Sequence, residues 1–582
     1  MSRWLNTSNS NLQTHASYDQ FGNVRVATDA KGNQSSVDYS SAYQYAYPTT
    51  VTTAVPDPTG QYGSTSAFSS MTSYDFNTGL ALSKTDANGQ TTSMAYSDAL
   101  NRLTQVTLPN GAHVSYSYSD SPNDLYLRVL ADEDASRVIE TRKYFDNTGR
   151  PTREFLYDGI PATPWSVTDT YYDSMGRVTK ISNPYRVSSP SGSVPATCSV
   201  CTTTLYDALG RVSTVTTPDN APVTTAYAAT TSSILGTTVL AKDQAGKQRI
   251  SRTNALAQLT DVWEVVPSSP PDSAAEAVSF PGHPDVTSGY RTGYTYDVLG
   301  NLRKVEQGSQ QRFFMYDSLS RLIRARNPEQ LVNTPNLNLT DPVTGNGQWC
   351  MSYAYDQNGN LTTRIDARNI TTSYGYDSLN RNISISYSGE QLAQGQNPTT
   401  TTSRRYDGWG PDTNGISLHY NIPNSKGRLW RTETQDVTGT RTTIDQYDVM
   451  GHALQQEQQF KTASGWSASY KVSQTFDLAG HLKTLTYPSG HAVTYNYDNA
   501  GRLGDKDSSN LAFTGNLGDG VQRSYDSISG PYAYDAASRL QEEKYGTLTP
   551  LYHKQHFNVR GQQYEGVFCK CCVREISQAA IL

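Results

Sequence analysis

A short phrase recurring along the chain limits what it can fold into: an aromatic residue, an aspartate, two variable residues, a glycine, then Arg, Asn or His. The stretch Phe476–Leu503, FDLAGHLKTLTYPSGHAVTYNYDNAGRL, holds one full unit and the start of the next. Val493, Tyr495 and Tyr497 alternate with polar neighbours, which puts them on one face of a strand. Asp498 ends that strand. Its carboxylate can accept from backbone N–H groups just ahead, and Gly501 takes the positive φ that a tight reversal needs. Pro488-Ser489-Gly490 supplies a turn at the other end, so each unit reads as a β-hairpin.

The clearest copies are Tyr18-Asp19 with Gly22, Tyr172-Asp173 with Gly176-Arg177, Tyr206-Asp207 with Gly210-Arg211, Tyr296-Asp297 with Gly300, Tyr355-Asp356 with Gly359, and Tyr497-Asp498 with Gly501-Arg502. Others carry Ser or Asn in place of Gly, as at Ser320, Asn380 and Ser538. Uninterrupted copies start 20 or 21 positions apart, as from Tyr296 to Tyr316 and from Tyr355 to Tyr376. Two strands of about eight residues with two turns fill about that length. Because a lone hairpin is marginal in water, the repeats must stack on one another. No segment has a 3.6-residue apolar period, so the expected class is all-β: hairpin repeats paired into one long sheet.

That periodicity divides the chain into a lead-in at 1–17, repeats over 18–265, a Pro/Ser-rich exposed insertion at 266–289, repeats over 290–562, and a tail at 563–582 that abandons the alternation. Tyr406-Asp407 reads as a degenerate copy, its turn broken by Trp409-Gly410-Pro411. Between Ala228 and Gly293 the phrase survives only as Asp243 with Gly246 and Asn254 with Ala257.

Composition agrees. The 40 tyrosines against 13 phenylalanines suit strands whose aromatic residues carry a polar tip to the surface. A net charge of −6 and a pI near 5.9 give no general field for nucleic acid or an anionic bilayer. No run approaches the roughly 18 apolar residues of a membrane span, and MSRWLNTSNSNL lacks the apolar centre of a signal peptide.

The recurring YDxxGR and YDxxGN resemble the YD repeat of the Rhs and wall-associated family, related to the teneurin shell. The resemblance runs from about Tyr18 to Gln562. It implies a sheet spiralling into a hollow shell around a payload, on exported or surface-displayed proteins, and hence an extracellular or cell-surface location. Toxin-carrying members end their repeats in an Arg-Phe…Asp-Pro-x-Gly segment linked to self-cleavage. Here Asp57-Pro58-Thr59-Gly60 matches its last letters alone, and Asp341-Pro342 lacks the spacing, so both read as ordinary turns. With no room after Gly561 for a toxin, the chain reads as a shell segment cut short.

No cofactor, metal or catalytic site is expected. No HExxH, GxSxG or P-loop occurs, since Gly246-Lys247 is followed by Gln248. Each repeat turn offers one carboxylate, whereas calcium wants six or more oxygens. The aspartates therefore read as turn caps, and the arginines as pairing locally or lying on tyrosine faces. Cys198 and Cys201 form a CxxC that reads as a local disulfide or as incidental thiols, with half a metal site as the alternative. Cys569, Cys571 and Cys572 read as accidental members of the tail, with metal coordination the alternative.

Three functional classes follow. The favoured one is a non-enzymatic shell that encloses or presents a protein payload. The others are an adhesion or carbohydrate-binding module, and a remnant of an autoproteolytic toxin carrier.

Overall fold

The computed structural model describes residues 1–122, 124–228, 236–266, 273–330, 339–389, 399, 401–411, 415–434, 439–504, 513–516, 522–526, 533–545 and 551–569. Among these are 47 strands and a single helical element, the 3₁₀ turn Ser41–Tyr43. The strands are mostly joined to the next in sequence by antiparallel pairing, as the hairpin spacing requires. From Leu302–Gln307 through Gln310–Tyr316, Leu322–Arg326, Met351–Tyr355, Leu361–Ile365, Thr371–Tyr376 and Asn382–Ser388 each strand hydrogen-bonds its successor.

At the repeat aromatics the register slips by one residue. Tyr206 lies opposite Val212, Tyr296 opposite Leu302 and Tyr355 opposite Leu361, with a bulge just before each tyrosine. A bulge bends and twists the strand it interrupts. It sits where the strand must turn into the Asp-x-x-Gly corner.

The chain forms two compact units, each drawn from separated stretches of the sequence. One holds residues 1–72, 222–443 and 459–468; the other holds 73–221, 444–458 and 469–582. A repeat count registers neighbours in the chain and does not address segments that pack from hundreds of residues away.

Cores are small and local, as a thinly apolar sheet allows. In the first unit, Leu240, Ile250 and Trp263 are buried with Val278, Phe280 and Val286. A second cluster joins Phe313, Met315 and Ile323 to Trp349, whose indole N–H donates to Leu339 O at 2.6 Å. In the other unit, Tyr144, Phe155 and Trp165 meet edge to face and are buried together with Val167.

Three expectations need correction. The 266–289 segment is not simply an exposed insertion. Glu276–Ala277 pairs with the strand Ser288–Tyr296, and Val278, Phe280 and Val286 close the core over Trp263. Its Pro and Ser content masked three well-spaced apolar residues. The tail, in turn, begins as ordered strand: Gln563–Cys569 pairs with Leu551–Phe557, because backbone pairing tolerates a lost side-chain alternation. Cys571 and Cys572 lie outside the described residues. The lead-in, of which the sequence set no structural expectation, forms a hairpin, Ser2–Leu5 with Ser10–Gln13.

The third correction concerns Tyr406-Asp407. Its turn is split, not broken. Asp407 N–H donates to Arg428 O at 2.9 Å and Gly427 N–H reaches the Asp407 carboxylate at 2.8 Å. The strand Leu429–Thr434 then pairs with Thr402–Tyr406, as after any repeat turn. A hairpin, Trp409–Pro411 with Ser417–His419, is inserted inside the corner, which separates the halves of the phrase in the sequence.

Candidate functional site

The repeated corner is the structural signature of the chain, and its geometry is nearly invariant. At Asp207 the backbone N–H donates to Arg211 O at 2.9 Å, and Gly210 N–H returns to Asp207 O at 3.0 Å with φ of +79°. One carboxylate oxygen accepts from Leu209 N and Arg211 N, both at 2.9 Å. The other accepts from Arg211 Nε at 2.7 Å. Asp173 with Arg177 and Asp498 with Arg502 repeat every one of these bonds. Where Asn closes the corner, its amide replaces the guanidinium, at 3.1 Å for Asp19, 3.0 Å for Asp297 and 2.9 Å for Asp356.

These bonds favour the ionised carboxylate. The Arg177 and Arg211 backbone amides hold the carboxyls of Asp173 and Asp207 below the usual range. The Arg102 guanidinium brings Asp98 down to about 2.

Most of the closing arginines also reach forward to the next aromatic. Arg150 lies 4.7 Å from the centre of the Tyr172 ring, Arg177 4.5 Å from Tyr206, Arg321 4.9 Å from Tyr355 and Arg502 4.5 Å from Tyr534. The tyrosine hydroxyl answers by donating to the carbonyl just after that arginine: Tyr172 to Pro151 at 2.7 Å, Tyr206 to Val178 at 2.7 Å, Tyr355 to Leu322 at 2.9 Å and Tyr534 to Leu503 at 2.7 Å. Tyr497 does the same with Leu482 while stacking on His481 at 4.6 Å. Tyr18 and Tyr296 have no cation stacked on them among the described residues; Tyr18 is largely exposed. The repeat is thus a chain of linked corners. The arginines pair with their own aspartate and cover the next tyrosine at once, two roles the sequence offered as alternatives.

A second feature was not signalled by any repeat. Glu133 is fully buried, and neither carboxylate oxygen has a hydrogen-bond partner. Arg137 Nη2 stands 3.2 Å from it as an ion pair. Asp477 and His481 lie beside it, with one potential ligand atom from each of the three within 4.8 Å of the others. Burial, reinforced by the neighbouring acids, pushes Glu133 up to about 7. His481 is already engaged, its Nδ1 sitting 3.0 Å from Asp477 Oδ2. The three could hold a divalent ion, with Arg137 supplying positive charge in its place. The one sequence cue is Asp134-Ala135-Ser136-Arg137, a shortened corner in which Asp134 accepts from Ser136 N, Arg137 N and Arg137 Nε.

Cys198 and Cys201 are joined as a disulfide with Cα atoms 6.0 Å apart. Cys198 borders a cavity of about 720 Å³, whose wall includes Asp169, Tyr171, Tyr185, Asp535 and Arg539. Burial and a hydrogen bond to Asp169 push the Tyr185 phenol up to about 12. Asp169 is also paired with buried Arg153 at 2.8 Å. Asp57 and Asp341 cap turns of their own: Asp57 accepts from Thr59 N at 3.0 Å and Tyr62 N at 2.7 Å, while Asp341 binds Thr344 Oγ1 at 2.6 Å and pairs with Arg303.

The RHS Repeat family model matches residues 74–120, 355–390 and 476–505, and a domain of unknown function, DUF6443, matches residues 115–232. None of the curated proteins matches the chain in sequence. In fold, the chain is similar to the crystal structure of TcdB2-TccC3-Cdc42, with a TM-score of 0.70 and 12% identity over 95% of this chain and 31% of that one. It is equally similar to the Photorhabdus luminescens Tc holotoxin pore, with a TM-score of 0.70 and 12% identity over 96% of this chain and 30% of that one. TcdB2-TccC3 without its hypervariable C-terminal region gives a TM-score of 0.62 at 13% identity, covering 96% and 32%. The chain therefore spans under a third of the length of these solved chains.

Proposed function

We propose that this chain, a protein of the Rhs or YD-repeat family, is a non-enzymatic wall segment of an exported protein whose work is to enclose or present a payload. The observation that carries this reading is the linkage of successive corners through Arg–Tyr stacking and the Tyr-to-carbonyl hydrogen bond. It extends a sheet repeat by repeat and leaves the aspartates, arginines and tyrosines occupied in holding it together. The fold likeness to toxin complexes supports a payload of protein nature and action outside the cell. Electron microscopy of the purified chain tests it: a curved open wall is expected, and a compact filled particle overturns the reading.

A second reading, carbohydrate binding, draws on the cavity of about 720 Å³ walled by Tyr171, Tyr185 and Asp169, which joins aromatic faces to polar groups as sugar sites do. Binding on a glycan array that disappears in Tyr171→Ala favours it; an array without signal removes it.

A further inference from the structure

In the unit containing residues 73–221 and 469–582, every repeat hairpin has two ends: the aspartate corner and the opposite turn. The opposite ends of the earlier residues lie over the corners of the later ones. Asn110 Nδ2 donates to Leu478 O at 3.1 Å, and Leu478 N–H donates to Glu133 O at 3.1 Å. Arg137 Nη1 donates to Tyr497 O at 2.6 Å, and Asn183 Nδ2 to Val559 O at 2.6 Å. Ser166 Oγ donates to Ala536 O.

The common rule is visible in Leu478, Ala536 and Val559. Each is the first variable residue of its corner, whose carbonyl the corner's own bonds leave free to accept from the opposite end; at Leu478 the N–H, which Asp477 also leaves free, donates as well. The corner thus offers a free backbone group and an apolar tip, and the opposite hairpin end supplies the complement.

Three further corners of the same unit, Asp146–Arg150, Asp173–Arg177 and Asp207–Arg211, stand side by side. A Cβ on Gly176 would meet Arg150 Nη1 at 2.7 Å, and one on Gly210 would meet Arg177 Nη1 at 3.5 Å. Nothing among the described residues lies over the tips of the last two. Among the described residues neither the carbonyl nor the N–H of Ser174 and Ala208 makes a hydrogen bond, and Met175 and Leu209 are 77% and 78% exposed. The same unit also holds an opposite end that is exposed, the turn Tyr487–His491, with Tyr487 at 42%.

We propose that the Asp173 and Asp207 corners form a docking edge for a second copy of this chain, which presents its Tyr487–His491 end to them. The contact is head to tail, with different surfaces on the two copies, so it does not close on itself in a pair. It repeats between molecules the packing that the unit already uses within itself. It builds on the shell reading but fails separately from it: a curved wall that never associates overturns the docking alone.

The test is sedimentation velocity of the full chain over a concentration series. The wild-type sedimentation coefficient should rise with concentration, whereas Met175→Asp/Leu209→Asp and, separately, Tyr487→Asp should stay at the monomer value. An equimolar mixture of the two variants should form pairs and stop there, because each retains the surface the other has lost. A wild-type chain that stays monomeric throughout, variants that associate like the wild type, or a mixture that does not pair would each overturn the proposal.

Discussion

The corners at Asp498 and Asp146 are built alike and placed differently. Both carboxylates accept from the residue two ahead and from the closing arginine, and both arginines lie beneath the next tyrosine. Around Asp498, however, a distant segment closes in: Ile139 sits 2.8 Å from where a Cβ on Gly501 would be, while nothing stands within 4 Å of that point on Gly149. Local bonds therefore make the corner, and packing from far along the chain decides only whether it is covered. Substitutions that separate the two contributions can break this comparison.

The largest effect is expected from the glycines. Gly501→Ala meets both the left-handed φ of +72° and the Ile139 side chain, whereas Gly149→Ala meets only a φ of +82°. Losses of about 2–4 kcal/mol for Gly501→Ala and about 1–2 kcal/mol for Gly149→Ala should appear as shifts in urea midpoint. Equal losses would mean that coverage adds nothing.

Next comes Glu133, which belongs to the covered edge alone. Its folded pKa of about 7 lies above the ordinary 4.5, so its contribution to stability is fully present below pH 4.5 and is lost as pH rises through 7. Glu133→Gln should remove this dependence and stabilise the chain above pH 7 by about 1–3 kcal/mol. A wild-type stability profile flat between pH 4.5 and 8 would contradict the burial assigned to this group.

Smaller, and equal in the two places, is the hydroxyl link. Tyr534→Phe and Tyr172→Phe each delete one hydrogen bond to a carbonyl and should each cost about 1 kcal/mol in thermal or chemical unfolding. A markedly unequal pair would show that the link itself depends on coverage. The smallest change has the opposite sign. Ser538 holds the glycine position with φ of +60°, so Ser538→Gly should stabilise by about 0.5 kcal/mol, and a loss would point to a packing role for its side chain.

The hairpin repeat and its corner were legible because they depend on residues within five positions of one another. Asp with Gly three ahead and Arg four ahead carries its hydrogen-bond pattern in its spacing. Three things were not legible, each for want of a nearby partner. Glu133 meets Asp477 and His481 from more than three hundred positions away. The halves of the Asp407 corner are parted by an inserted hairpin, although Gly427-Arg428-Leu429 ahead of a strand was a readable trace of the second half. The burial of Val278, Phe280 and Val286 needs the surface of Trp263, and a Pro/Ser-rich composition does not show that surface.

The split corner has a practical side. Asp407 takes both guanidinium nitrogens of Arg381 at 2.8 Å, the Ser64 amide at 3.0 Å and the Gly427 amide at 2.8 Å, and it does so although the strands Trp409–Pro411 and Ser417–His419 stand between its own two halves. Closure there is settled by where the ends meet and not by what is threaded between them. For an engineer, the tip of such a corner is a natural cloning site, a place where a foreign loop, an epitope or a reporter can be grafted while the sheet on either side keeps its stitching.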